Sequence, residues 1–140
     1  MSTACEANHS APSTIDDVLA DARAALERVT PREAAALDDA LIVDIRPRHN
    51  REAEGEIPGS VAIERIVLEW RLDPRGDHRI DGFDEDTVVV VVCNESYASS
   101  LAARDLRVLG LHRATDLVGG FRAWAAAGLP VRPGASQAVT

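Results

Sequence analysis

The run Val88-Val89-Val90-Val91-Val92, closed by Cys93, constrains this chain more than any other feature. Five consecutive β-branched residues have no polar side to turn toward water, so the segment fits a strand covered on both faces, as in a parallel sheet with helices on either side. Leu41-Ile42-Val43-Asp44-Ile45 repeats the pattern in weaker form, and residues 114–118 are a third candidate strand. Helical patterns alternate with them. Ile15, Val18, Leu19, Ala22, Leu26 and Val29 recur at helical spacing, with Asp16, Asp17, Asp21 and Arg23 on the other side. This predicts an amphipathic helical extension over residues 14–29. Thr30-Pro31-Arg32-Glu33 offers an N-cap, a proline at the first helical position and a capping-box glutamate for a second, shorter helix. Residues 99–109 carry an apolar helical face stopped by Gly110, and residues 121–127 a short helix that follows the Gly119-Gly120 turn and ends at Gly128 and Pro130. The alternation predicts an α/β fold. Residues 61–68 read as a strand and a helical turn, and residues 73–84 as a loop.

A chain of 140 residues, 46% hydrophobic, supports one core. The main domain is expected over residues 30–132, with frayed tails at 1–13 and 133–140. A net charge of −8 repels phosphate backbones and anionic lipid, so neither nucleic acid nor membrane is an expected partner. All 15 basic residues are arginine, a bias that a GC-rich genome explains without chemistry. No charged-then-apolar leader and no membrane-length apolar run is visible, so a cytoplasmic location is expected. Two cysteines make neither a disulfide framework nor a zinc cluster, and His9, His49, His78 and His112 are scattered without ligand spacing. No metal or other cofactor is expected.

Cys93 ends the most buried-looking strand, at the edge of the sheet where open α/β folds bind ligands. Only Asn94-Glu95-Ser96-Tyr97-Ala98 separate it from the helix expected near Ser99. So short a loop curls around the sulfur, and the N–H groups of Glu95 through Ser99 can converge on it, helped by the positive end of the helix. Such a cradle favours a thiolate or persulfide anion and makes Cys93 a candidate nucleophile. The competing reading is a small buried hydrophobe at a strand end. Cys5 has no such setting and reads as an inert tail thiol.

Four further fragments stand in order around this loop: Leu41-Ile42-Val43-Asp44-Ile45-Arg46, Gly55-Glu56-Ile57-Pro58-Gly59-Ser60-Val61, Leu117-Val118-Gly119-Gly120-Phe121-Arg122-Ala123-Trp124 and Gly128-Leu129-Pro130-Val131. With the cysteine loop, they resemble the successive motifs of rhodanese-like sulfurtransferase domains over residues 31–132. The string from Val67 to Pro74 is similar to that of small rhodanese-like proteins of high-GC bacteria. The resemblance implies a parallel sheet of about five strands with helices on both faces, and a catalytic Cys93 that takes sulfur from a small donor as a persulfide. The acceptor would be a thiol, a cyanide-like nucleophile or a protein. Asn94, Glu95, Ser96, Tyr97, Ala98 and Ser99 would form the persulfide-binding loop. Asp44 and Arg46 match the family's Asp-x-Arg, a structural pair whose arginine lies near the pocket floor; a solvated ion pair at a strand end is the alternative.

The sequence departs from the family pattern in four places. Ser96 stands where the loop often has glycine, Ala98 where a basic residue is common, and Glu95 adds an acid. Glu56 replaces the histidine of Gly-His-Ile-Pro-Gly. A dianionic donor such as thiosulfate is less welcome in such a loop, unless Arg71 or Arg75 supplies positive charge. Tyr97 either walls the pocket or covers the helix start. A cysteine phosphatase needs an arginine six positions after its cysteine to clamp phosphate, and Ser99 occupies that position here. The alternative to a sulfurtransferase is a binding or redox-sensing module on the same fold.

Overall fold

Val89–Val92 forms the central strand β3 of a computed structural model that describes residues 11–140, and every residue of the strand is buried. Its side chains alternate between two cores, as a strand covered on both faces must. Val89 and Val91 join Leu68, Leu72, Ala102, Ala103 and Leu106 on one face. Val90 and Val92 join Ala34, Ile57, Leu117, Phe121 and Trp124 on the other. Each buried valine contributes roughly 1.5–3 kcal/mol of transfer free energy, so the run anchors both layers at once.

Three parallel strands complete the sheet: β1 (Leu41–Asp44), β2 (Val61–Ala62) and β4 (Ala114–Asp116), in spatial order β2-β1-β3-β4. The expected count of about five is therefore corrected to four among the described residues. The fifth position is a single rung, in which Val29 pairs with Leu117 through bonds to Asp116 and Val118. It extends no further because Pro31, which has no N–H to donate, opens the next helix two residues later.

Six helices flank the sheet among the described residues: α1 (Ile15–Ala24), α2 (Pro31–Ala35), α3 (Arg48–Glu54), α4 (Leu68–Arg71, entered through one 3-10 turn), α5 (Ala98–Val108) and α6 (Gly120–Ala126). Both α1 and α2 begin with complete capping boxes, Thr14 with Asp17 and Thr30 with Glu33. The expected helix over residues 14–29 stops at Ala24, because Val29 is drawn into extended backbone beside β4. Residues 1–10, with Cys5 and His9, lie outside the described residues. No helix among those described is long and apolar enough to cross a membrane.

The end of the chain differs from the frayed tail expected over residues 133–140. Arg132 pairs antiparallel with Glu56, and Val139 pairs with Ile63 at the open edge beside β2. The reason is the Glu56 side chain, which turns inward and is 1% exposed. It accepts bonds from Arg51 at 2.8 Å, from Arg132, and from both the backbone N–H and the hydroxyl of Ser136. Gly134 has no Cβ because a Cβ there would stand 2.7 Å from the Glu56 carboxylate. The residue that departs from the family pattern is thus the anchor of the C-terminal strap. Burial alone would raise the Glu56 carboxyl, but the bonds from Arg51, Ser136 and Arg132 overcome it and hold it down to about 2.

A carboxylate whose folded pKa is depressed adds stability above its ordinary value of 4.5 that is lost as the pH falls toward 2. The melting temperature should therefore fall between these two values, and Glu56→Gln should flatten that part of the profile. Glu56→Ala, which strands the buried Arg51, should cost about 3–5 kcal/mol in urea denaturation at neutral pH.

Candidate active site around Cys93

Cys93 follows the last residue of β3, and its loop runs directly into α5. The thiol is half-buried and free. Two backbone N–H groups donate to its sulfur, Ser96 at 3.2 Å and Ser99 at 3.4 Å. The expected cradle is therefore built from two of its five amides, and it closes through an unusual backbone. Ser96 adopts φ 71°, the one non-glycine residue in the left-handed region among those described. That conformation costs a side-chain-bearing residue about 1–3 kcal/mol and persists only where its surroundings enforce it. At Ser96 the enforcement is visible. Its carbonyl accepts from Arg23 at 2.9 Å, with the Ser100 hydroxyl 3.0 Å away, and its hydroxyl accepts from the Gly119 N–H at 3.2 Å.

The helix start beneath the loop is fixed by Asp116, at the end of β4 with no exposed surface. Its carboxylate accepts from the hydroxyls of Ser99 and Ser100 at 2.8 and 2.7 Å and from Arg28 at 2.7 Å. On the opposite side the Gly119-Gly120 turn holds the loop's carbonyls: the N–H of Phe121 donates to Cys93 and that of Arg122 to Asn94. A Cβ on Gly120 would lie 2.5 Å from the carbonyl oxygens of both Cys93 and Asn94, so this close approach requires glycine.

Asp44 and Arg46 form a buried pair, 1% exposed on each side, joined at 2.8 Å. The solvated strand-end alternative is thereby excluded. Arg46 also donates to the Gly55 carbonyl at 2.7 Å and to the Asn94 side chain at 3.3 Å, and lies 4.0 Å over the Phe121 ring. It ties the first residue after the cysteine to the ends of β1 and α3. Asn94 in turn donates to Glu54, and Arg122 spans Glu54 and Glu95 at 3.1 and 3.2 Å. The bond from Arg122 lowers the Glu54 carboxyl below its ordinary range, and the same bond raises the Arg122 guanidinium.

Other predicted residues are placed differently. Arg71 donates to the backbone oxygens of Thr140 and His78, and Arg75 pairs with Glu85 and the Leu109 carbonyl; both fasten loops, and neither bonds to the cysteine loop. Tyr97 and Ala98 face outward, and Tyr97 stacks beside Arg23 with the guanidinium 5.8 Å from its ring. Ser99 belongs to the first turn of α5, which starts at Ala98. Arg23, Ser100, Asp116 and Glu54 were not singled out from sequence, and Gly120 and Arg122 were read only as part of a turn and a family motif, not as supports of the cysteine loop. The one available signal was Asp116 itself, an acid inside the otherwise apolar stretch of residues 114–118.

The sequence profile of the rhodanese-like domain matches residues 30–127. The chain belongs to the rhodanese-like domain family. It is 33% identical over 101 residues, 69% of its length, to the adenylyltransferase and sulfurtransferase MOCS3-2 of Zea mays, and it spans about a fifth of that relative (20%). Among solved structures, a Rhodopseudomonas palustris protein of unknown function, described as a possible tyrosine phosphatase, superposes with a TM-score of 0.78 at 35% identity, covering 87% of this chain and 99% of that one. The polysulfide-sulfur transferase homodimer of Wolinella succinogenes superposes at 0.66 and 25% identity, covering 82% and 84%. The thiosulfate sulfurtransferase of Pseudomonas aeruginosa does so at 0.61 and 26%, covering 78% of this chain and 20% of that one. This rhodanese-like domain thus carries the family's α/β sheet with its cysteine at the end of the central strand.

Because the Asp44–Arg46 pair is buried, Asp44→Ala should destabilise the domain by about 3–5 kcal/mol in urea denaturation. A solvated pair would cost about 1 kcal/mol or less, and a loss that small would contradict the placement of Arg46.

Proposed function

We propose that this rhodanese-like domain is a sulfurtransferase or sulfane-sulfur carrier that holds a persulfide on Cys93 and passes it to a thiol or another nucleophilic acceptor. One observation carries the reading: the Ser96 and Ser99 amides are aimed at the Cys93 sulfur, and a strained backbone is maintained to aim one of them. Donors so placed stabilise negative charge on sulfur, which both the attacking thiolate and the persulfide bear. With a persulfide donor R–S–SH, the Cys93 thiolate attacks the outer sulfur, a new S–S bond forms, the donor's own S–S bond breaks, and RS⁻ leaves. An acceptor thiolate then attacks the outer sulfur of Cys93–SSH, and the Cys93 thiolate is the leaving group. Sulfur changes hands with no external oxidant or reductant. The sulfur-transferring relatives in maize and in Wolinella succinogenes support the reaction class.

The charges around the loop disfavour a dianionic donor such as thiosulfate and favour sulfur carried on an uncharged thiol. Arg23 is committed to Ser96 and Ser100, Arg46 to Asp44, and Arg122 to Glu54 and Glu95. Each guanidinium that touches the loop therefore already has an acceptor, and Glu95 adds an exposed negative charge beside it. The phosphatase description of the Rhodopseudomonas palustris protein does not carry over, because Ser99 stands where an oxyanion-clamping arginine is needed and its hydroxyl is spent on Asp116. A reducing, cytoplasmic setting suits a free thiol of this kind.

Intact mass spectrometry after incubation with polysulfide should show one added sulfur that is absent in Cys93→Ser. An adduct persisting in Cys93→Ser, or no adduct in the wild type with any donor, would sink the proposal. Thiosulfate should load more slowly than an uncharged thiol persulfide, and Glu95→Gln should raise the thiosulfate rate about two- to threefold, the size of a screened surface charge. p-Nitrophenyl phosphate should not be hydrolysed.

A further inference from the structure

We propose that Arg23, on a helix outside the span of the family profile, is a positioning residue of the cysteine loop: it holds Ser96 in the left-handed conformation that points its N–H at the Cys93 sulfur. The profile begins at residue 30, whereas α1 covers Ile15–Ala24. Helix α1 packs against α5 with Ala22 fully buried, and Leu26, just past its end, joins the core cluster of Ala102, Ala103 and Leu106. That docking brings Arg23 onto three hydrogen-bond acceptors and one aromatic ring of the loop region. Its guanidinium donates to the Ser96 carbonyl at 2.9 Å, to the Ser96 hydroxyl at 3.5 Å and to the Ser100 hydroxyl at 3.1 Å, and it stands beside the Tyr97 ring.

The consequence follows from peptide geometry. The Ser96 backbone torsions decide where both of its peptide planes face, and a non-glycine residue left to itself leaves the left-handed region. A charged donor on its carbonyl is the strongest of the bonds opposing that relaxation. The Ser100 hydroxyl lies 3.0 Å from the same carbonyl, but its one proton goes to the Asp116 carboxylate at 2.7 Å, which leaves Arg23 as the carbonyl's donor. Glycine, frequent at this position in the family pattern, needs no such restraint; this chain carries serine, and the restraint comes from its N-terminal extension. Arg23 touches neither sulfur nor donor, so it acts on the rate of sulfur uptake through the Ser96 N–H rather than on donor affinity.

The proposal rests on the sulfur-transfer reading of Cys93, and its test separates the two. In the full chain, with Cys5→Ser as background, Arg23→Ala, Arg23→Lys and the exposed-site control Asp21→Ala are compared in three measurements. These are single-turnover polysulfide loading by mass spectrometry, alkylation of Cys93 by iodoacetamide, and the amide NMR resonances of Ser96 and Ser99. Arg23→Ala should lower the saturating loading rate about tenfold, the loss of one charge-assisted hydrogen bond, and leave the half-saturating polysulfide concentration within about twofold. It should also slow alkylation and move the Ser96 amide resonance, while Arg23→Lys recovers part of each effect and Asp21→Ala leaves all three measurements at their wild-type values. Wild-type loading and alkylation with an unmoved Ser96 amide would overturn the proposal. So would equal losses in Arg23→Ala and Arg23→Lys that track a lowered melting temperature, since that pattern describes an undocked helix. If the wild type takes up no sulfur from any donor, the sulfur-transfer reading fails, and alkylation with the amide resonances still decides the role of Arg23.

Discussion

Asp116 ends β4 with no exposed surface, and a carboxylate in that position has to be answered by hydrogen bonds or it unfolds the site around it. The answer comes from three side chains on two parts of the chain. Ser99 and Ser100 come from the first turn of α5, and Arg28 comes from the segment that leads to the Val29 rung. The central helix is thereby fastened at the end where it meets Cys93, and the N-terminal extension is fastened to the same carboxylate. Ser100 then extends the network to Ser96, and Ser96 to the sulfur. A chain of polar contacts thus runs from the sheet's interior to the thiol.

The cysteine loop is held from three directions. Asp116 and its serines lie beneath it, the glycine turn before α6 grips its carbonyls, and Arg46 ties Asn94 to the end of β1. Each of these three supports consists of backbone or buried charge, which relaxes little, and Arg23 adds a fourth from α1 at the Ser96 carbonyl. That is the condition under which a strained residue such as Ser96 survives in a folded protein. It is also what lets two amides stay pointed at one sulfur without collapsing onto another acceptor.

The Glu56 corner solves a different problem. The edge of the sheet beside β2 is short and open, and an open edge invites pairing with another chain. The final segment covers part of it through the Ile63–Val139 bridge, and the buried Glu56 with Arg51, Arg132 and Ser136 pins that segment down. A residue that looks, in sequence, like the loss of a histidine is in space the gain of a structural anchor.

Hydrophobic periodicity made the architecture legible in advance. The unbroken valine run, the capped helix at Pro31 and the glycine stops depend on local chemistry, and they appear in the structure within a residue or two of where the pattern puts them. The cysteine's place at the end of the central strand and its short loop were legible for the same reason. Tertiary structure alone decided which polar residues serve that loop. Arg23 reads as the solvent side of an amphipathic helix, and Arg71 reads as a nearby cation. Helix docking reverses them, carrying Arg23 to Ser96 and leaving Arg71 on the Thr140 and His78 backbone. Periodicity reports which face of an element is buried, but not which long polar side chain reaches across to a neighbour. That reach depends on how helices pack on the sheet, and in this protein it determines what surrounds Cys93.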